Sequence, residues 1–366
     1  MNDLNELKQY VVVHAEAQGM APQHYRALLD RIRNDEDGAP DSWTAQWSAA
    51  GDELAASGKL LDASRHYAMA RFPYVDGPAR QKAQDACVAA FDRWRQAVGG
   101  IERLDVELPE GTVRCWAAGL SKDHPQPLLV IMGGIVSLKE QWAPVLAQGA
   151  QLGVAAVVAE LPGVGENTLP YTAESRKLIS QILDAVADRA DTSHSYALTM
   201  SFSGHLSLGA AVTDRRIRGI VTTGAPVRGF FTDPEWQRSV PRITVDTLAQ
   251  LTGVKSEDVF DHIRDWALTD EELSALRIPV AYAASKRDEI IPRSDVKLLR
   301  RKVRKLRLIE NDDVHGSPAH VAEVRLWTVW SVLRMRGAPA AKRAVIGYTM
   351  LAARLKRKRR LSGAKQ

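Results

Sequence analysis

Two rhythms of apolar and polar positions divide the chain. From residue 1 to about 98, apolar residues recur at intervals of three and four, the spacing of amphipathic helices. The pattern predicts helices over Leu4–Gln18, Pro22–Arg33, Ser42–Ser57, Leu60–Arg71 and Pro78–Val98. Gly19, Asp37-Gly38-Ala39-Pro40, Gly58 and the stretch from Pro73 to Pro78 interrupt them. Trp43, Trp47, Tyr67, Phe72 and Trp94 fall where helices pack, so they read as core rather than as a ligand cage. The stretch from Gly58 to Phe72 is like half of a tetratricopeptide unit, but no second copy follows at a fixed period, which argues against a repeat array.

After Gly99-Gly100 the rhythm changes to short β-rich runs. Strands are predicted at Leu104–Leu108, Val113–Ala118, Leu128–Ile131, Val154–Glu160, Tyr196–Thr199, Ile217–Thr223, Val280–Ala284 and Leu306–Ile309. Pro109-Glu110-Gly111 joins the first two as a hairpin. The later strands alternate with helical segments such as Thr172–Arg189 and His205–Thr213, which predicts a mostly parallel eight-stranded sheet covered on both faces. In such sheets ligands bind beyond the carboxyl ends of the strands. Gly133, Gly163, Ser201 and Asp288 all lie just past predicted strand ends and should converge on that rim. The connection from about 225 to 278 is far longer than an ordinary strand–helix link and reads as a lid-like insertion, with a structural excursion as the alternative.

The chemistry concentrates at Thr199-Met200-Ser201-Phe202-Ser203-Gly204-His205, an apolar strand, a sharp turn and an alanine- and leucine-rich helix. A strand-to-helix elbow lifts a hydroxyl above the sheet beside unpaired backbone N–H groups. The positions two before and two after the nucleophile must be small. Thr199 and Ser203 satisfy this around Ser201, whereas His205 would crowd a turn centred on Ser203. The alternative is a serine-rich turn that merely opens a helix. Acyl transfer by serine also needs a base and an orienting carboxylate, in the chain order Ser, acid, His. Asp288, in Ser285-Lys286-Arg287-Asp288-Glu289, and His315, in Asn311-Asp312-Asp313-Val314-His315-Gly316, meet that order on loops at the correct rim. Glu289, Asp312 and Asp313 are fallback acids; a helix cap or a salt bridge to Arg287 is the structural alternative for Asp288. Gly133 and Gly134 allow close backbone approach to a carbonyl, so the amides of Gly134 and Phe202, with Ile135 next, form the expected oxyanion hole. The glycines of Pro162-Gly163-Val164-Gly165-Glu166 lack the Lys-Ser/Thr of a phosphate loop, which argues against a nucleotide site.

Composition changes this picture little. Of 366 residues, 45% are hydrophobic and 25% charged, as in an ordinary globular protein. Cys87 and Cys115 have neither disulfide nor zinc spacing, and no cofactor or metal is expected. The polar N-terminus is unlike a signal peptide and no apolar run is long enough to span a bilayer, so a cytoplasmic location is the default. The net charge of +5 owes much to a basic tail over 337–366, including Lys342, Arg343, Arg354, Lys356–Arg360 and Lys365. That tail is either solvated or an amphipathic helix touching anionic lipid or an acidic partner, and it gives no reason to expect nucleic acid.

These motifs together resemble the α/β-hydrolase superfamily, and within it the family of the fermentation-respiration switch protein. That group also holds 2,6-dihydroxypseudooxynicotine hydrolase and fungal pigment hydrolases that shorten polyketides. The matching residues are Tyr67-Ala68-Met69-Ala70-Arg71-Phe72-Pro73, Gly133-Gly134-Ile135-Val136-Ser137-Leu138-Lys139-Glu140, Pro162–Glu166, Gly224-Ala225-Pro226-Val227 and the contexts of Ser201, Asp288 and His315. The resemblance implies an N-terminal helical cap (1–99) over a hydrolase core (100–336), with a Ser201-His315-Asp288 triad. It also implies a small-molecule or carrier-bound acyl substrate, an ester, thioester or acyl ketone with a medium-to-bulky, polyketide-like part. Gly133, Val136, Glu140 and Phe230 are the expected substrate contacts. Val136 stands where some relatives carry a carboxylate, a departure that puts the nicotine-degrading enzyme's particular reaction in doubt here, while cleavage of an acyl carbon–carbon bond stays among the alternatives. A non-catalytic binding module, a lyase or cyclase on the same fold, and a homodimer are the alternatives left open.

Overall fold

In the computed structural model, which describes residues 2–148 and 153–363, the change of rhythm at Gly99-Gly100 is a change of architecture. Before it lie helices α1 (Leu4–Ala17), α2 (Pro22–Arg31), α3 (Trp43–Ala56), α4 (Leu60–Arg71) and α5 (Pro78–Val98). Their ends have local causes. Asp3 caps α1 by accepting from the amides of Asn5 and Glu6, Ser42 caps α3, and Pro22 and Pro78 start α2 and α5. Gly99 and Gly100, both at positive φ, end α5 and turn the chain into the sheet. Of the predicted aromatic stripe, Trp43, Trp47, Tyr67 and Phe72 are buried in the core, and Trp94 is half-buried against Phe91.

Strands β1 (Glu102–Leu108), β2 (Gly111–Ala118), β3 (Pro127–Met132), β4 (Ala155–Ala159), β5 (Asp191–Met200), β6 (Ile217–Thr223), β7 (Val280–Ser285) and β8 (Leu306–Asn311) form one sheet in the order β1-β2-β4-β3-β5-β6-β7-β8. The β1–β2 hairpin closes across Leu108 and Gly111; β1–β2 and β2–β4 are antiparallel and every later pairing is parallel. This is the α/β-hydrolase fold, with α1–α5 as its cap. The central strands are buried on both faces, as parallel strands under helices must be. β5 starts earlier than predicted, at Asp191, because hydrogen bonding to the sheet carries polar residues into the strand that side-chain pattern alone excludes. The predicted helix over 172–189 is shorter: a 3₁₀ turn (Ala173–Lys177) precedes an α-helix over Leu178–Ala185.

The insertion after β6 folds as short helices, among them Gly229–Thr232 and Arg242–Thr252. Buried Asp295 accepts hydrogen bonds from the amides of Val227 (2.8 Å), Arg228 (3.0 Å) and Gly229 (2.5 Å), pinning its first turn to the core. Glu6 of α1 accepts from the amides of Arg242 (3.1 Å) and Ile243 (2.6 Å), so a cap side chain caps an insertion helix. Arg242 itself pairs with Asp246. The basic tail is helical over Ala340–Gly363 and packs on the helix Val321–Met335, with Val345, Tyr348 and Leu351 exposed. The side chains of Lys342 and of 354–363, and Lys365 entirely, lie outside the described residues. Among the described residues no helix is long and apolar enough to cross a membrane.

Behind the reactive rim sits a buried ionic cluster. Lys139 Nζ lies 2.9 Å from Glu140, 3.5 Å from Glu160 and 2.8 Å from Glu166, and is itself 1% exposed. Burial alone would lower the Lys139 pKa, but these carboxylates raise it. Burial pushes Glu160 up to about 7 against the pull of Lys139. Replacing Lys139 by methionine leaves buried carboxylates without their cation. The expected loss is about 3–5 kcal/mol of unfolding free energy, read from urea denaturation followed by circular dichroism.

Candidate active site

The turn after β5 holds Ser201 at φ 54°, ψ −125°, one of two non-glycine residues among those described with positive φ. Such a backbone costs of order 1–3 kcal/mol and persists only where its surroundings over-determine it. Here the Ser201 amide donates to Thr223 O (2.8 Å), the Met200 amide donates to Ser203 Oγ (2.9 Å), and the Gly204 amide donates to Ser201 O (2.8 Å). Ser203 is fully buried and its hydroxyl is committed to the turn, reaching Met132 O and Met200 O. Gly204 lets the helix Phe202–Thr213 lie on β6; a Cβ there would stand 2.1 Å from Thr222 Oγ1.

Three side chains meet over the rim. His315 Nε2 lies 3.2 Å from Ser201 Oγ, and His315 Nδ1 lies 3.0 Å from both oxygens of Asp288. Asp288 Oδ1 also accepts from the amides of Ile290 (3.0 Å) and Ile291 (2.8 Å), which fixes its orientation. Burial lowers the His315 pKa, but Asp288, by charge and hydrogen bond, and the nearby Glu289 lift it above its ordinary value. Arg287 pairs instead with Asp312 at the surface. The remaining fallback acids support the loop. Glu289 accepts from the His315 amide (3.0 Å), and Asp313 accepts from the amides of Val314 and Ala319 and pairs with His320 at 2.7 Å. Ser317, also at positive φ, is 2.8 Å from Ser285 Oγ.

The residues expected around this trio divide. Gly134 abuts the serine: a Cβ on it would stand 3.2 Å from Ser201 Cβ. Gly133 is closed in by Ser137 and Trp142, with a Cβ at 2.4 Å from each. Ile135 is buried, and Phe202 begins the helix after the elbow, where first-turn amides lack helical partners. The Val136 carbonyl accepts from Arg71 Nη1 (3.1 Å). Glu140 belongs to the ionic cluster, its Oε1 2.8 Å from Trp116 Nε1, and Phe230 is fully buried against Phe202, Phe231 and Phe260. Both therefore have structural partners in place of an open face.

Sequence reasoning missed the cap's contribution. His14 of α1 lies close enough to His315 and Arg71 that both add to the effect of burial, which lowers its pKa to about 4. A Cβ on Gly316 would stand 3.2 Å from Val13. Nothing local marks this face of α1, because its polar residues look like solvated helix positions. The role of Gly224 was equally hidden: at φ 59° it leaves room for the imidazole, and a Cβ would stand 2.8 Å from His315 Cε1.

The family model for esterase FrsA-like proteins matches residues 41–313. The chain belongs to the esterase FrsA-like family. Esterase FrsA of Vibrio vulnificus is 22% identical over 314 residues, spanning 76% of each chain. That of Photobacterium profundum is 22% identical over 330 residues, 82% of this chain and 78% of its own. Among solved structures, wild-type AbyA5 is 56% identical with a TM-score of 0.93, covering 96% of this chain and 100% of its own. The 2,6-dihydroxy-pseudo-oxynicotine hydrolase shares the fold at 18% identity and a TM-score of 0.67, over 87% and 94% of the two chains. This FrsA-like protein is an α/β-hydrolase enzyme of the acyl-cleaving, serine-hydrolase type. The family motifs acquire physical roles. Gly133–Glu140 and Pro162–Glu166 meet at Lys139, and Gly224 makes way for His315.

Gly224→Ala should press the imidazole away from Ser201 without unfolding the chain. A displacement near 1 Å at a reacting group costs about a hundredfold in rate. Steady-state ester hydrolysis together with a thermal melt checks this.

Proposed function

We propose that Ser201 is the nucleophile, His315 the general base and then acid, and Asp288 the carboxylate that holds the imidazole. The amides of Phe202 and Gly134, with Ile135 beside them, take the oxyanion. The observation that carries this reading is the unbroken chain Ser201 Oγ–His315–Asp288, at 3.2 and 3.0 Å, on a strained elbow at the carboxyl rim. In the first half-reaction Ser201 Oγ bonds to the substrate carbonyl carbon as its proton passes to His315 Nε2. Nδ1 keeps its proton toward Asp288, which stabilises the imidazolium. Collapse of the tetrahedral intermediate expels the leaving group with that proton and leaves an acyl-serine. Water then repeats the sequence and restores Ser201.

The substrate we favour is an ester or thioester with a medium-to-bulky acyl part, enclosed between the rim, the cap and the insertion 225–278. The anchoring of that insertion at both Asp295 and Glu6 supports a covering segment coupled to α1. The division we adopt is a cap over 1–99, a core over 100–336 and a tail over 337–366. The exposed apolar residues of the tail helix favour a surface role against an acidic partner or anionic lipid. Two buried free thiols suit a reducing, cytoplasmic setting.

Ser201→Ala should lower ester turnover by about three to six orders of magnitude while the melting temperature holds; wild-type rates in that variant would end the assignment. The pH profile is a second check. Catalysis requires neutral His315, whose pKa is raised, so kcat/KM should fall on the acid side with an apparent pKa above the ordinary histidine value of 6.5. Asp288→Asn should move that limb to lower pH as well as reduce the rate.

A further inference from the structure

We propose that Arg71, together with His14 and Tyr10 of α1, forms a recognition subsite for an anionic group, a carboxylate or comparable delocalised oxyanion, carried by the substrate beside its reacting acyl group. The inference rests on the triad reading, because it locates the subsite relative to His315.

Arg71 ends α4 and is 2% exposed. Burial lowers its pKa to about 10, so it stays charged at neutral pH. Nη1 is occupied by Pro73 O (2.8 Å) and Val136 O (3.1 Å), and Nε reaches Gln84 at 3.4 Å. Nη2 has no hydrogen-bond partner among the described residues, yet it is not sealed from solvent. No carboxylate among the described residues pairs with Arg71. The acids that favour its charge are Glu160 and Glu140, and both are held by Lys139. Glu160 and Glu140 favour the Arg71 charge without touching it, and a guanidinium fixed through one arm presents the other to a planar anion.

The neighbouring polar groups make no hydrogen bonds within the described residues, although the His14 ring packs on Phe72 with centroids 5.2 Å apart. Tyr10 and His14 stand one turn apart on the same face of α1, the face that meets Gly316 and the His315 loop. Burial, reinforced by Glu289 and Glu6, raises the Tyr10 hydroxyl to about 12; burial lowers His14 to about 4. Both are therefore neutral near pH 7. Neither the Tyr10 hydroxyl nor the His14 ring nitrogens make a hydrogen bond within the described residues, and neither side chain is sealed. Buried polar groups are normally satisfied, and Arg71 Nη2 is the buried group here without an internal partner; Tyr10 and His14 are half-buried beside it. The charge on Glu289, bonded to the His315 amide, orients the ligand. It repels an anion from His315 and, together with Glu6, from the Tyr10 end, leaving Arg71, which donates to the Val136 carbonyl, as the favourable end.

The test uses full-length Ser201→Ala protein and p-nitrophenyl monoesters of succinic, glutaric and adipic acids, each paired with the neutral p-nitrophenyl alkanoate of equal chain length. Titration calorimetry should show at least one acid binding about tenfold tighter than its neutral counterpart, as a charge-assisted hydrogen bond provides. Arg71→Gln should abolish that advantage, Arg71→Lys should keep part of it, and His14→Phe or Tyr10→Phe should reduce it. If Arg71→Gln does not fold, the α1 variants decide. The inference is overturned if no acid in the series is favoured, or if the preference survives both Arg71→Gln and His14→Phe. Ester turnover surviving in Ser201→Ala would instead fell the triad reading. The ratio of kcat/KM for the same ester pairs would then still judge the subsite.

Discussion

The backbone of one residue sets the rest of the active rim. Ser201 is held at positive φ because the strand it leaves and the helix it enters are both fixed to β6, through Thr223 on one side and the close approach of Gly204 on the other. A serine in that conformation would relax if either neighbour gave way. The strain is sustained by the packing of β5, β6 and the helix Phe202–Thr213, and its result is a hydroxyl raised to within hydrogen-bond reach of His315. The other parts of the site are arranged around that fixed point.

The loop facing the elbow has a different kind of support. Gly133 leaves no room for a side chain beside Trp142 and Gly134 lies close against Ser201, while Ile135 and Leu138 of the same loop are buried in the core. The loop is also held from behind, by Lys139 among three carboxylates and by Arg71 on the Val136 carbonyl. Burying four charged groups is an expensive way to stabilise a fold. It does place the glycine amides in one position, and a site that stabilises developing charge depends on donors already aimed before the reaction begins.

The cap reaches the rim loops as well as covering the sheet. α1 caps an insertion helix through Glu6 and rests on the His315 loop through Val13, while α4 delivers Arg71 to the loop beside the serine. Cap, insertion and rim are thus joined by hydrogen bonds at named points.

Much of this was legible in the residues alone. All eight strands and the five N-terminal helices follow from apolar periodicity and from the glycines and prolines that end it, because burial of a strand or helix face is a local pattern. The placement of Ser201, Asp288 and His315 past strand ends follows too, since a parallel sheet brings its carboxyl ends to one rim. What the sequence could not decide is which side chain faces which. Glu140 and Phe230, expected at the substrate, lie against Trp116 and in an aromatic cluster; His14 looked like an ordinary helix position and lies near His315, and the space that Gly224 leaves for the imidazole was not readable from its motif. Those assignments depend on distances between residues tens to hundreds of positions apart. Only the closed fold sets such distances, because only there does a polar side chain find its partner or go without one.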